Sequence, residues 1–312
     1  MRTGGIDAVV TWVDGTDPVH QRKRQAYMRD VGWGRFHRRA ASPTRFADSG
    51  EIEFCLRSIR RHAPWVHRIF LVTDEQVPEG LGPGRRQELG VTLIDHRDIF
   101  RGYEEFLPTF NSLSIETMIH RIPELSEHFL YLNDDVFLVA DIEPADYFDD
   151  GKPILRGAWS PLRRTLWERM RRRKKGGARG LVGRRNEEKW LPLRDRVFRL
   201  AHAPFPLRRS VLERVCDERA TAFNVRYRFR HASQFWPIAL AANRCLLSGE
   251  AAVGPSDWLY LNFDKNPSSE EVVDVLDAAE SGRDALSLCV QSLDQADDEH
   301  ARRVRDCLDR AT

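Results

Sequence analysis

Two adjacent carboxylates, Asp134 and Asp135, stand between apolar runs in HFLYLNDDVFLVADIEP, residues 128–144. Like charges side by side in a half-buried place cost free energy unless something offsets them. A hard divalent cation does so. Mg²⁺ or Mn²⁺ takes one or two carboxylates together with phosphate oxygens and water. Such an ion would bridge a substrate diphosphate and offset charge on a departing phosphate. The plainer alternative is a turn, which Asn-Asp-Asp favours. Apolar flanks on both sides are unusual for a solvated turn.

Three further stretches carry groups with chemistry. TWVDGTD (11–17) places Trp12, able to stack on a base or to fill a core, before Asp14-Gly15, a turn signal. His202, in AHAPFP, sits in a proline-punctuated loop, where a lone histidine is usually structural or solvated. Arg228 and Arg230, in RYRFRH, alternate with aromatics. That pattern suits one face of a strand, or an anion gripped by guanidinium forks.

Short apolar runs must position these groups. Residues 6–13, 68–73, 91–95 and 129–133 are each nearly continuously apolar, as in strands covered on both faces. Helical spacing lies between them. Ile52, Leu56 and Ile59 recur after a start signal at Asp48 or Ser49 and before Pro64. Leu113, Met118, Ile119 and Ile122 recur with Ser112 as cap and Pro123 as stop. Alternating strands and helices predict an α/β sheet with right-handed crossovers, whose ligands bind beyond the carboxyl ends of the strands. Thr11–Asp14–Asp17, Thr73–Asp74 and Asn133–Asp135 all fall at such ends. Beyond residue 195 the spacing predicts helices over 210–218, 234–245 and 268–276, with a short polar strand in 257–267.

A chain of 312 residues can bury a sizeable core, and 41% hydrophobic with 31% charged residues suits a soluble globular protein. No run approaches the roughly 18 apolar residues of a membrane span. The N-terminus lacks a signal-peptide layout, so the expected location is cytoplasmic. Five scattered cysteines without a CxxC pair indicate neither zinc nor a disulfide framework, and read as buried thiols. Net charge is only +2, yet residues 163–189 form a dense basic block and the end is acidic. The block reads as a solvated insertion, a flap over an anionic acceptor, or a patch for an anionic membrane. A non-enzymatic binder of anionic polymer built on this block is the second class of function, and would show salt-sensitive binding.

TWVDGTDP, RFADSGEIEFCLRSIRRHAPWVHRIFLVTD, LPTFNSLSIETMIHRIPELSEHFLYLNDDVF, AHAPFPLRRSV with RYRFRH, and LYLNFDKNPSS together resemble the four ordered regions of the Stealth family of sugar-1-phosphate transferases. The resemblance spans nearly half of the chain. It implies one catalytic domain over 1–312: a nucleotide-sugar-binding core over 1–150, the basic insertion at 160–190, and the remaining catalytic regions over 195–312. The implied fold is a glycosyltransferase type-A-like (Rossmann-like) α/β domain with a mostly helical C-terminal part. The implied reaction moves a sugar-1-phosphate from a UDP-sugar to an acceptor hydroxyl on an oligo- or polysaccharide. It forms a phosphodiester and releases UMP, and no nucleic-acid partner is expected. A metal-dependent glycosyltransferase releasing UDP is the nearest alternative.

Residue by residue, the resemblance places the nucleotide-sugar at Thr11, Trp12, Asp14, Gly15, Arg57 and Asn133. It places the Mg²⁺ or Mn²⁺ at Asp134, Asp135 and Asn262, and catalysis at His202, Asp134 and Arg230. His202 or Asp134 would take the proton of the acceptor hydroxyl. The sequence departs from the family at Asp48-Ser49-Gly50-Glu51, where one acid is missing, at Ser233-Gln234, where an acid is usual, and in LNFD.

Overall fold

The β-branched and aromatic runs form strands because they can be covered on both faces. The computed structural model describes residues 5–31, 45–161, 190–191, 195–282 and 284–312. Its main sheet contains β1 (Ile6–Thr11), β2 (Val66–Thr73), β3 (Val91–Asp95), β4 (His128–Asn133) and β10 (Phe205–Arg208), in the order β10-β4-β1-β2-β3. The first four are parallel, and β10 runs antiparallel to β4. Along β1, Ala8 and Val10 pack toward Ile52, Leu56 and Ile59 of the helix Glu51–His62. Val9 points to the other face of the sheet, in the cluster that holds its β4 neighbours Phe129 and Tyr131. Side chains of a strand alternate between faces, so a run apolar at every position is buried on both.

A second sheet holds β5 (Val136–Leu138), β12 (Trp258–Asn262) and β13 (Ser287–Gln291), in the order β12-β13-β5. β12 and β13 are parallel, while β5 is antiparallel to β13. Smaller ladders join β6 (Phe148–Asp149), β7 (Lys152–Leu155) and β11 (Ala252–Val253), and pair β8 (Gly157–Pro161) with β9 (Arg196–Leu200). Both larger sheets therefore draw strands from both halves of the chain.

The α/β core is as expected, with shifted ends. β1 stops at Thr11 instead of running on to residue 13, because the side chain of Gln76 clamps the backbone of Asp14 into the following turn. The helix Glu51–His62 starts after Gly50, whose φ of 88° is left-handed, and neither Asp48 nor Ser49 caps it. Asn111, not Ser112, caps Ser112–Met118. The part beyond residue 195 holds more helix than strand, as expected. It adds β9 to β13 alongside the helices Arg209–Val215, Glu218–Val225, Pro237–Ser248, Ser269–Ser281 and Asp298–Ala311. Of these strands the sequence showed β12, within 257–267; the others are each five residues or shorter. All five cysteines are free and buried, as expected. The basic block lies outside the described residues. No helix among them is long and apolar enough to cross a membrane.

Candidate active site

The Asn133-Asp134-Asp135 turn is where the chain leaves one sheet for the other. β4 ends at Asn133 beside Thr11 of β1, and β5 begins at Val136 beside Cys289 of β13. The amide of Val290 donates to the Asp135 carbonyl at 2.9 Å and ties the turn to β13. β12 and β13 end level with each other, at Asn262 and Gln291. The carboxyl ends of both sheets thus converge on two carboxylates.

A cavity of about 360 Å³ opens there. Asn133, Asp134, Asp135 and Glu51 line one part, Arg230, Arg45 and Ser112 another, and Trp12, His20, Phe46 and Phe110 an aromatic part. The His20 ring lies 5.4 Å from Phe110 and 5.8 Å from Phe46, and burial pushes its pKa down to about 4. His20 is therefore neutral at pH 7, and with Trp12, Phe46 and Phe110 it gives this part ring faces on which a planar group could stack. Arg230 reaches Ser112 Oγ at the start of the helix Ser112–Met118.

The acidic part is electrostatically unfavourable as it stands. Asp134 and Asp135 open on the cavity, yet protein surrounds them closely. Burial, then the charges of Asp135, Glu51 and Asp48, hold Asp134 well above the ordinary carboxylate range. Burial raises Asp135 to about 6, against hydrogen bonding from Gln291 and Cys289. Glu51 rises to about 7 through burial and its acidic neighbours. Asp135 Oδ1 is buried and has no hydrogen-bond partner. Such a set fits a divalent cation, which would offset the repulsion and satisfy that oxygen. Among the described residues, no three His, Cys, Asp or Glu side chains close around one point. The protein would thus supply one or two carboxylates, and water or phosphate oxygens the remainder, as Mg²⁺ prefers.

The structure divides the residues singled out in the sequence. Thr11, Trp12, Asn133, Asp134, Asp135 and Arg230 line one cavity. Asp14 does not. Its carboxylate closes a local turn by accepting from the amide and hydroxyl of Thr16, at 2.7 and 2.6 Å. Gly15 also lies outside the lining. Its amide donates to Phe46 O, and a Cβ there would stand 2.3 Å from that oxygen, so glycine lets Phe46 approach. Arg57 points away and pairs with Asp309 at 3.1 Å. Asn262 is no lining residue either. Its Oδ1 accepts from the Asp264 amide at 2.9 Å and its Nδ2 donates to Tyr260 Oη at 2.7 Å. His202 sits behind the cavity wall, stacked on Tyr260 at 4.8 Å and in contact with Gln291.

Two further residues at or beside the site were not singled out in the sequence. Gln291 ends β13 as a polar residue after an apolar strand, an ordinary edge pattern. Glu116 is a buried acid on the helix Ser112–Met118, raised to about 7 by burial against the pull of Arg230. It accepts from Tyr131 Oη at 3.3 Å, and Tyr131 also reaches Thr11 Oγ1 and Asn133 Oδ1. A charged residue among Leu113, Met118 and Ile119 was the available clue.

Residues 4–32 match Stealth protein CR1, conserved region 1, and residues 45–154 match Stealth protein CR2, conserved region 2. The chain belongs to the Stealth family through these two regions, which contain the carboxylate turn. It is 35% identical over 292 residues to the exopolysaccharide phosphotransferase SCO6023 of Streptomyces coelicolor, covering 91% of this chain and 47% of that protein. It is 40% identical over 158 residues to the receptor polysaccharide phosphotransferase WefC of Streptococcus oralis, covering 50% of this chain and 46% of that one. The chain spans about half the length of these curated relatives. Among solved structures, the galactosyltransferase LgtC overlays with a TM-score of 0.47 at 12% identity, covering 98% of this chain and 96% of that one.

Proposed function

We propose that this chain is the catalytic part of a sugar-1-phosphate transferase acting in capsular or extracellular polysaccharide synthesis. The observation that carries the reading is the cavity itself. Half-buried carboxylates with an unpartnered oxygen share a cavity with a guanidinium and an aromatic end. That combination suits a nucleoside diphosphate sugar, with the base by Trp12, Phe46 and Phe110 and the diphosphate between Arg230 and the acids. The names of the relatives, all polysaccharide phosphotransferases, support the same reaction class.

In this scheme an acceptor hydroxyl attacks the β-phosphorus of a UDP-sugar in line with departing UMP. The sugar C1–O bond is untouched. Asp134 and Asp135 would hold Mg²⁺ or Mn²⁺, whose charge offsets that of the phosphates. Arg230, fixed by Ser112, neutralises phosphoryl oxygens from the opposite side. Glu116 lies close enough to Arg230 to bias its position electrostatically. The acceptor proton has two candidate takers, Asp134 and His202, and removing it contributes roughly 10²–10⁴-fold. Contact with an anionic membrane surface remains part of the proposal through the basic block alone.

The test is a nucleotide-release assay with Mg²⁺ or Mn²⁺, a panel of UDP-sugars and oligosaccharide acceptors. UMP with a phosphodiester product is the expected outcome. Acceptor-dependent UDP would overturn the reaction and favour glycosyl transfer.

A further inference from the structure

Tyr131 is fully buried beneath the ends of β1 and β4, and its hydroxyl meets three side chains. Thr11 Oγ1 lies at 3.0 Å, Asn133 Oδ1 at 3.1 Å and Glu116 Oε1 at 3.3 Å. The strand register explains the meeting. Thr11 pairs with Asn133 where β1 and β4 end, and Asn133 follows Tyr131 on the same face of its strand. The phenol ring is packed against Phe205 of β10, with centroids 6.1 Å apart and planes 23° from parallel, so the hydroxyl cannot wander. A hydroxyl has one proton and two lone pairs, and these three partners fill them.

Thr11 and Asn133 line the cavity, while Tyr131 stands behind them. Among the described residues, no other side chain holds either of the two. We infer that Tyr131 is a positioning residue, whose hydroxyl fixes the Thr11 hydroxyl and the Asn133 amide before the donor arrives. Gripped at Oδ1, Asn133 offers its NH₂ to the cavity. A reversed amide would turn its oxygen toward a space already lined by Asp134, Asp135 and Glu51, where one more acceptor is unfavourable. An NH₂ held beside the carboxylates suits an oxygen of a diphosphate, which needs donors that the acids do not supply. That consequence rests on the phosphotransferase reading above. The advantage lies in ordering, because side chains fixed in advance lose little rotamer freedom when a ligand binds.

The hold on Asn133 can be read without any substrate, so its failure is distinct from failure of the phosphotransferase reading. Protein labelled with ¹⁵N-asparagine would be used, with the Asn133 NH₂ assigned by the signals lost in Asn133→Asp. Exposed Asn266 serves as the mobile reference. The expected wild-type heteronuclear NOE of the Asn133 NH₂ is as high as that of strand amides. A wild-type NH₂ as mobile as that of Asn266 would overturn the inference, whether or not Tyr131→Phe folds. In folded Tyr131→Phe the NH₂ should become that mobile, and an NH₂ that stays ordered would show that the hydroxyl does not hold it. Calorimetry with UDP and Mn²⁺ reads the consequence. Tyr131→Phe is expected to weaken UDP about tenfold. In a Thr11→Val, Asn133→Ala background the same substitution should change Kd less than twofold. An undiminished tenfold loss there would mean that Tyr131 does not act through these two side chains. A wild type that binds no UDP would overturn the nucleotide reading and leave the ordering result standing.

Discussion

The two edges of the main sheet each hold aspartate in protein, and treat it differently. At the amino edge, Asp7 of β1 is fully buried and saturated with partners. It accepts from the Ser126 amide at 2.8 Å, lies 3.3 Å from Arg68 and 3.4 Å from His67. At the carboxyl edge, Asp134 and Asp135 face each other's charge and that of Glu51, and Asp135 Oδ1 has no partner. The first arrangement holds the fold together. The second leaves repulsion that a proton or a positive ligand would relieve, and it lies where open α/β sheets bind ligands. Buried charge alone therefore does not mark a site. What marks it is unfinished hydrogen bonding beside a cavity.

The strongest test exchanges the charges at each edge. Asp135→Asn should lower UMP release by at least about 10²-fold, on the scale of losing a positioned electrostatic group. Without metal, its melting temperature should equal or exceed that of the wild type, because a repulsion is removed. Asp7→Ala should do the reverse. It should cost about 1–3 kcal/mol, because the Ser126 amide and Arg68 lose a buried acceptor, and leave turnover per folded molecule near wild type. Denaturant unfolding with single-turnover kinetics separates the two. Equal stability losses at both edges would end the distinction.

Glu116 sharpens the comparison, being a buried acid between the two kinds, with Oε2 unpartnered. Its folded pKa of about 7 exceeds the ordinary 4.5. The folded state then binds the proton more tightly than the unfolded one. Stability falls as pH rises from 4.5 to about 7 and is level above. Glu116→Gln should remove that slope, for a gain of about 3 kcal/mol at pH 8, measured by urea unfolding across pH. An unchanged slope would place the charge elsewhere.

Adding metal should complete the carboxyl edge alone. At 100 times its Kd, Mg²⁺ or Mn²⁺ would stabilise the fold by about 2.7 kcal/mol. Asp135 and Glu51 bind protons below about pH 6 to 7, so the gain should shrink there and return at pH 8. Thermal unfolding with metal and with EDTA reads this directly. The smallest effect belongs to Arg57, whose partner Asp309 is exposed. Arg57→Ala should change stability by less than about 1 kcal/mol and leave donor binding unchanged. A collapse of donor affinity would return Arg57 to the site.

Much of this was legible before any coordinates. The doubly covered strands announced themselves, because a segment buried on both faces must be apolar at every position. β3 matches its expected span of 91–95, and β2 and β4 extend theirs by two residues and one. The carboxylate pair stood out because its flanks were apolar, which is a local property. Arg57, Asp14 and Asn262 were harder. Each has the chemistry for a phosphate or metal contact, yet Arg57 pairs with Asp309 of the last helix, a partner only the fold supplies, while Asp14 and Asn262 bond to Thr16 and Tyr260, two residues away in sequence.

The sequence by itself determined the α/β pattern, the buried thiols and the adjacent carboxylate pair. Spacing and residue type suffice for these, since they depend on neighbours within a few positions. Tertiary structure alone decided that β4 and β5 belong to different sheets. It likewise decided that the ends of β12 and β13 arrive at the same turn, and that His202 stands behind Gln291. Those relations join residues up to about 160 positions apart, such as Asp135 and Gln291. No local pattern encodes them, because they follow from how apolar faces of distant segments cover one another.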